Sequence, residues 1–459
     1  MFFEQLTTPG LGCYSYAIGC PLAGVMAVVD PRRDADIYLQ IAEGDGMRIT
    51  HIFETHIHAD HVSGALELRA ATGADIYVHE GAPVAYGAKK LRHGDEFRLG
   101  NALIHTLHTP GHTPNSVSFL VTDLSRSPAP QLILTGDLLF VGDIGRPDLP
   151  GAEILEEQTE NLYNSLYGTL GPLPDYLEVY PSHGEGSLCG AGMSAKPHST
   201  LGYERLANPM LQYPSFIDFK KVILSHLPMR PLSFSAIIAA NLKGADVSAS
   251  DHVNEDRPLT AAELSALQEA GVYLLDVRNA FEFAACHIPS SINVDFSDGP
   301  RLNWVGMVIP PGARIALITA SEGEYMNLVV ELRRIGYDSV AGWLKGGVGA
   351  WKEGGRATQG TPYMTAAELK ARLAEPNPPI LLDVRDPAEF NADHIDGAVN
   401  LTFDRIPDQT IYPPSSSAKA VIVCLSGFRA AIAASLLRAQ GCDNISILRD
   451  GMESWHNIT

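Results

Sequence analysis

At 459 residues the chain is long enough for roughly three domains. Its 33 Lys and Arg against 53 Asp and Glu leave a formal charge of −20 with no basic run, which excludes nucleic-acid binding and docking on an anionic membrane. No apolar run approaches the roughly 20 residues that span a bilayer, Met1–Gln5 has no signal-peptide pattern, and six scattered Cys frame no disulfides, so a reducing cytoplasm is expected.

In chain order, Tyr14–Ile18 and Val25–Asp30 read as a hairpin turning near Pro21–Gly24, and Ala35–Glu43 as a helix. The apolar run Ile49–Phe53 reads as a buried strand that delivers Thr55-His56-Ile57-His58-Ala59-Asp60-His61 into a turn. Three imidazoles and a carboxylate this close together suit a metal better than a structural role. A helix over Val62–Thr72, a short strand over Ile76–His79 and two strands within Glu96–Leu107, turning at Gly100-Asn101, follow. The loop Thr109–Pro114 then presents His112, Gln131–Thr135 ends at Gly136-Asp137, and Leu177–Tyr180 leads into Pro181-Ser182-His183-Gly184. Ligand-type residues at successive strand ends predict a sheet sandwich with a site at one rim. His105 and His108 read as strand and packing residues.

Residues 236–258 read as a linker with a polar end, 248–257. Beyond it the chain repeats. Thr260-Ala261-Ala262-Glu263-Leu264 recurs as Thr365-Ala366-Ala367-Glu368-Leu369, Leu274-Leu275-Asp276-Val277-Arg278 as Leu381-Leu382-Asp383-Val384-Arg385, and Gly347-Val348-Gly349-Ala350-Trp351 as Gly451-Met452-Glu453-Ser454-Trp455. Copies this long are two domains of one type rather than a solenoid. Helical stretches alternating with short apolar strands imply a parallel sheet covered by helices in each.

The order Asp30, His56/His58/Asp60/His61, His112, Asp137, His183 resembles the metallo-β-lactamase superfold, an αβ/βα sandwich. That superfold can hold two metals. Here His56, His58, His112 and Asp137 would form one site, and Asp60, His61, His183 and the same Asp137 the other, as in a two-zinc hydrolase. Within the superfold, Gly142-Asp143-Ile144-Gly145-Arg146-Pro147-Asp148 and Lys196–Pro209 are similar to persulfide dioxygenases fused to rhodaneses. The resemblance implies one Fe(II) per chain, held by His56, His112 and Asp137, with His58, Asp60, His61 and His183 around them. It places Arg146 on the anionic groups of the thiol substrate. Glutathione-using members carry Cys at the place of Ile144 and Tyr at the place of Glu185, so the thiol carrier stays open.

The repeated copies resemble rhodanese domains through Asp-Val-Arg, Glu-Phe-x3-His-Ile and Gly-x3-Trp. The second copy has Cys424-Leu425-Ser426-Gly427-Phe428-Arg429 after the strand Val421–Val423. There the resemblance implies a Cys424 persulfide cradled by the amides of Leu425, Ser426, Gly427 and Phe428 and by the charge of Arg429. A helix N-terminus and converging N–H groups lower a thiol pKa. The first copy has Ala320 and Tyr325 at the corresponding places and is expected to be a scaffold.

The expected architecture is therefore an α/β multidomain chain: a metallo-β-lactamase-like domain over 1–235, the linker 236–258, an inactive rhodanese over 259–355 and an active one over 362–459. The expected partners are a low-molecular-weight persulfide, O2, and sulfite or thiosulfate, with no nucleic acid and no membrane, in a homo-oligomer. The alternative is a zinc thioesterase of the glyoxalase II type with rhodanese appendages. Cys13, Cys20 and Cys189 are thiols that could relay sulfur near the rim.

Overall fold

A computed structural model describes residues 1–190, 192–225, 227, 230–247, 255–297, 299–407 and 418–458. The chain forms two compact units, Met1–Asp251 with Arg333–Gly336, and His252–Leu332 with Tyr337–Thr459.

The first unit is built from two six-stranded sheets, each following chain order. One runs Phe2–Thr8, Cys13–Cys20, Val25–Val29, Arg48–Phe53, Asp75–His79, Lys89–Leu91; the other runs Glu96–Leu99, Ala102–His108, Val117–Asp123, Leu132–Gly136, Glu178–Pro181, Ser199–Thr200. Alternation along the strands decides the layers, because successive side chains leave a strand on opposite faces. In the first sheet Val28, Ile52 and Ile76 pack with Tyr38, Ala42 and Leu68 of the covering helices. Their neighbours Val29, Phe53 and Tyr77 face the second sheet and meet Ile104, Phe119 and Leu134. The outer face of the second sheet presents Leu107 and Ile133 to Leu162, Leu166 and Phe219. The result is the expected helix–sheet–sheet–helix sandwich. Phe53 is its aromatic centre, with rings of Tyr77, Phe97 and Phe119 at 5.1, 4.9 and 5.3 Å.

Two expectations meet a different outcome here. The helix after the metal turn begins at Ala65 rather than Val62: Gly64 is its N-cap, and the Ser63 hydroxyl accepts the Ala65 N–H. The first part of the supposed linker, 236–243, is helical: Ser233–Lys243 is a helix whose Ile238 and Leu242 pack on the first sheet's outer core. Of its polar end, 248–254 lies outside the described residues.

The second unit holds two five-stranded parallel sheets of identical order. One is Pro258–Leu259, Val340–Leu344, Ile315–Ile318, Tyr273–Asp276, Ile292–Asn293; the other is Tyr363–Met364, Ile445–Leu448, Ala420–Val423, Ile380–Asp383, Val399–Asn400. The repeated Thr-Ala-Ala-Glu-Leu is a helix start: Thr260 with Glu263, and Thr365 with Glu368, each close a capping box. The repeated Asp-Val-Arg is a buried clamp, Arg278 on Asp276 and Arg385 on Asp383. No helix among the described residues is long and apolar enough to cross a membrane.

Candidate metal centre and persulfide loop

The strand ends converge at one rim of the sandwich, and three side chains meet there. His56 Nε2 lies 3.7 Å and His112 Nε2 3.4 Å from Asp137 Oδ2. All three residues are buried. Their hydrogen bonds settle which atoms face the centre. Thr55 Oγ1 donates to Asp30 Oδ2 at 2.7 Å, so at 2.9 Å it accepts from His56 Nδ1–H. His112 Nδ1–H donates to the Arg146 carbonyl at 2.9 Å. Both rings therefore present the Nε2 lone pair inward. Burial holds both imidazoles below the ordinary histidine pKa, so they are neutral ligands, while the His183 side chain, whose own pKa is raised by its carboxylate neighbours, keeps the Asp137 carboxyl ionised against the cost of burial.

Among the described residues His56 Nε2 and Asp137 Oδ2 are buried and have no hydrogen-bond partner. Leaving a buried polar atom unpaired costs on the order of 1–3 kcal/mol. Two at one focus, a lone pair and a carboxylate oxygen, fit a cation. Two imidazoles and one carboxylate suit non-haem iron, with zinc also chemically acceptable.

The remaining ligand-type residues do not join that focus. His58 Nε2 faces Asp30 Oδ1 at 3.1 Å and Glu54 Oε2 at 3.3 Å. That pair of carboxylates raises the His58 pKa to about 10, against the effect of burial. Asp60, His61 and His183 gather with Cys13. His183 bridges two carboxylates, with Nδ1 2.6 Å from Asp137 Oδ1 and Nε2 2.8 Å from Asp60 Oδ2. His58 thus sits with Asp30 and Glu54 while its ring lies 4.2 Å from that of His56.

The two sequence motifs behind the resemblance turn out to brace the centre. Gly142 N–H donates to Glu204, and Asn208 Nδ2 donates to the Asp143 carbonyl, tying the helix Leu201–Ala207 to the loop 142–148. Gly145 is required, because a Cβ there would collide with the Asp137 carbonyl oxygen. Arg146 is buried; its guanidinium makes a two-toothed bond to Asp148 at 2.7 Å and donates to Leu188 O. It holds the loop whose carbonyl orients His112, and a substrate contact by Arg146 would have to compete with Asp148. Ile144 lies in the core and Glu185 is exposed.

Asn241 was not singled out by the sequence. It sits on the helix Ser233–Lys243, donates to the His58 and His61 carbonyls at 2.9 and 2.8 Å, and accepts from Ser63 N–H. An Asn set among Ile237, Ile238, Ala239, Ala240 and Leu242 was the available signal. Asp30, at φ 50, is held in the left-handed region while accepting from Thr55 and Ser182, a strained residue at the base of the site.

In the second unit the strand Ala420–Val423 ends at Cys424, and the helix Phe428–Ala439 starts behind the loop. Cys424 Sγ accepts the Gly427 N–H at 3.0 Å, with Gly427 at φ 107. Arg429 pairs with Glu389 at 2.5 and 2.8 Å. The balance on the thiol differs from the expectation: burial pushes Cys424 up, and the Arg429 charge with the amides of Ala430, Gly427 and Ser426 only partly opposes it. Leu425 is exposed at the loop tip. Gly451 of the Gly-x3-Trp motif approaches the Cys424 carbonyl so closely that a Cβ would collide, and Met452 N–H bonds that carbonyl. In the first copy, the Glu324 carboxylate accepts the Ala320 N–H and Tyr325 is buried against Trp343. Its loop is closed on itself.

Comparison with known proteins agrees with both halves. The family model described as "Metallo-beta-lactamase superfamily" matches residues 9–183, and "Rhodanese-like domain" matches 260–354 and 365–458. The crystal structure of a metallo-β-lactamase from Staphylococcus aureus subsp. aureus COL is 32% identical with a TM-score of 0.68, over 74% of this chain and 98% of that one. "Persulfide dioxygenase ETHE1, mitochondrial" of Bos taurus is 27% identical over 53% of this chain and 88% of its own length. "Hydroxyacylglutathione hydrolase" of Methylococcus capsulatus is 34% identical over 37% of this chain and 61% of its own. The chain belongs to the metallo-β-lactamase superfamily, as a member that also carries two rhodanese-like domains.

Proposed function

We propose that the domain over 1–235 is an iron-dependent persulfide dioxygenase and that the domain over 362–459 is a sulfurtransferase working through Cys424. The observation that carries the first half is the pair of buried, unpartnered atoms, His56 Nε2 and Asp137 Oδ2, facing His112 Nε2 at a single three-residue focus. Three protein ligands leave open positions on an octahedral ion, the arrangement non-haem iron oxygenases use. The similarity to a persulfide dioxygenase over 88% of that protein's length supports the same reading.

The overall reaction takes R–S–SH, O2 and water to R–SH, sulfite and two protons. When bound, Fe(II) supplies the electrons that activate dioxygen toward sulfur. The chain supplies the rest. His56 and His112 would hold the ion through Nε2 and Asp137 through Oδ2. Thr55 and the Arg146 carbonyl fix the two imidazole tautomers. His183 fixes Asp137, leaving Oδ2 toward the ion. The loop 142–148 closes one wall.

In the second half, the Cys424 thiolate takes the outer sulfur of thiosulfate and releases sulfite, or the persulfide so formed passes its sulfur to sulfite or a thiol. Sulfite from the first half is thus an acceptor for the second. A reducing compartment suits the chain, whose six cysteines are all unpaired.

The second reading is a zinc thioester hydrolase, favoured by the hydroxyacylglutathione hydrolase relatives. Oxygen uptake on a low-molecular-weight persulfide by the iron-loaded chain, lost in His112→Ala and kept in Cys424→Ser, supports the dioxygenase. Thioester hydrolysis without oxygen uptake overturns it.

A further inference from the structure

Beside the three-residue focus stands a second buried group of ligand-type side chains, Cys13, Asp60, His61 and His183, with mutually close donor atoms. Its bonding differs from that of the first. Neither Asp60 nor His183 leaves a buried polar atom unpartnered. Asp60 Oδ2 accepts twice, from Cys13 Sγ at 2.9 Å and from His183 Nε2 at 2.8 Å, while Asp60 Oδ1 lies 3.3 Å from His61 Nδ1. His183 spends its other nitrogen on Asp137 Oδ1 at 2.6 Å. A continuous chain thus runs from the Cys13 thiol through Asp60 and His183 to Asp137, whose Oδ2 faces the focus.

The backbone builds Cys13 into this chain. Cys13 and His183 form an antiparallel bridge, Tyr14 N–H donates to the Ser182 carbonyl at 2.7 Å, and Gly184 N–H donates to the Gly12 carbonyl at 2.9 Å. A Cβ at Gly12 would meet the Glu185 carbonyl, and one at Gly184 the Tyr14 side chain, so the two segments approach this closely only because both positions are glycine. The Cys13 sulfur is therefore held on Asp60.

We infer that Cys13 is a positioning residue that keeps the centre at one metal. Its S–H holds Asp60 Oδ2 in the orientation that also accepts from His183, so the carboxylate and imidazole that a second ion would need remain committed to each other and to Asp137. This rests on the one-metal reading above and adds the residue that enforces it. Asp60 must give up the Cys13 bond before it can turn to a second ion.

The test is titration of the metal-free full chain with Co(II) and Zn(II), counting bound equivalents by elemental analysis after desalting and recording the Co(II) spectrum. The wild type and Cys13→Ser, whose hydroxyl can still donate to Asp60, are expected to bind about one equivalent with no thiolate-to-cobalt band. Cys13→Ala is expected to bind about two. One equivalent in folded Cys13→Ala, judged by an unchanged circular dichroism spectrum, overturns the role of Cys13 and leaves the one-metal reading standing. Two equivalents in the wild type, with a thiolate band, overturn both and make Cys13 a ligand.

Discussion

His112 turns Nε2 toward Asp137 because of a carbonyl 34 residues away in sequence. At the residue scale the account depends on such orienting partners, and they are the cheapest to test. His112→Ala removes one of three ligands, so bound metal should fall to a small fraction of the wild-type content by elemental analysis. Asn241→Ala touches no ligand. It strips the donor from the His58 and His61 carbonyls, and a loss of roughly 10–100-fold in metal affinity is expected in a chelator competition. An unchanged affinity would show that the loop holds itself. The ligand-type residues from His56 to His183 were legible as a set because they follow strand ends, whereas the choice of His56, His112 and Asp137 among them came from the resemblance. Asn241 was not, because its value depends on which loop its helix packs against, and periodicity does not carry that. The same gap affected Arg146: its type suggested an anion contact, and only packing shows Asp148 on its guanidinium.

At the scale of elements, the layers were readable and the bracing was not. Val28, Phe53 and Tyr77 fall on their faces by the period of two, so the sandwich follows from the apolar pattern. The helix within the supposed linker was missed because polar residues follow it and its apolar face resembles a tether until a sheet is there to receive it. Phe53→Ala should cost about 3–5 kcal/mol, as expected for a large buried ring, and urea midpoints would measure it. Gly145→Ala should reduce metal content, since its Cβ drives into the Asp137 carbonyl, whereas Gly168→Ala, with open space around it, should not. A pH effect belongs here too. His79 stacks on His108 at 4.1 Å, and burial together with that neighbour lowers its pKa from 6.5 to about 4. Between those values the unfolded chain takes a proton that the folded strand refuses. Stability is therefore greatest above pH 6.5 from this group and falls as the pH drops toward 4. His79→Gln should flatten that slope in urea midpoints measured across the interval; an unchanged slope would exclude His79 as its source.

At the scale of the molecule, the duplication has been put to unequal use. The second copy keeps a cysteine in an amide cradle. The first has Ala320 in place of the cysteine, with its N–H bonded to Glu324, and a packed tyrosine in place of the charge. Ala320→Cys should therefore leave sulfur transfer from thiosulfate unchanged, and Cys424→Ser should abolish it. Recovery of transfer in Ala320→Cys with Cys424→Ser would show that the first loop is still competent. The most direct measurement of the central claim is metal content on protein purified without added metal, combined with oxygen uptake on a low-molecular-weight persulfide. The account predicts about one iron per chain and persulfide-dependent uptake. Two zinc per chain, with thioester hydrolysis and no uptake, would contradict it.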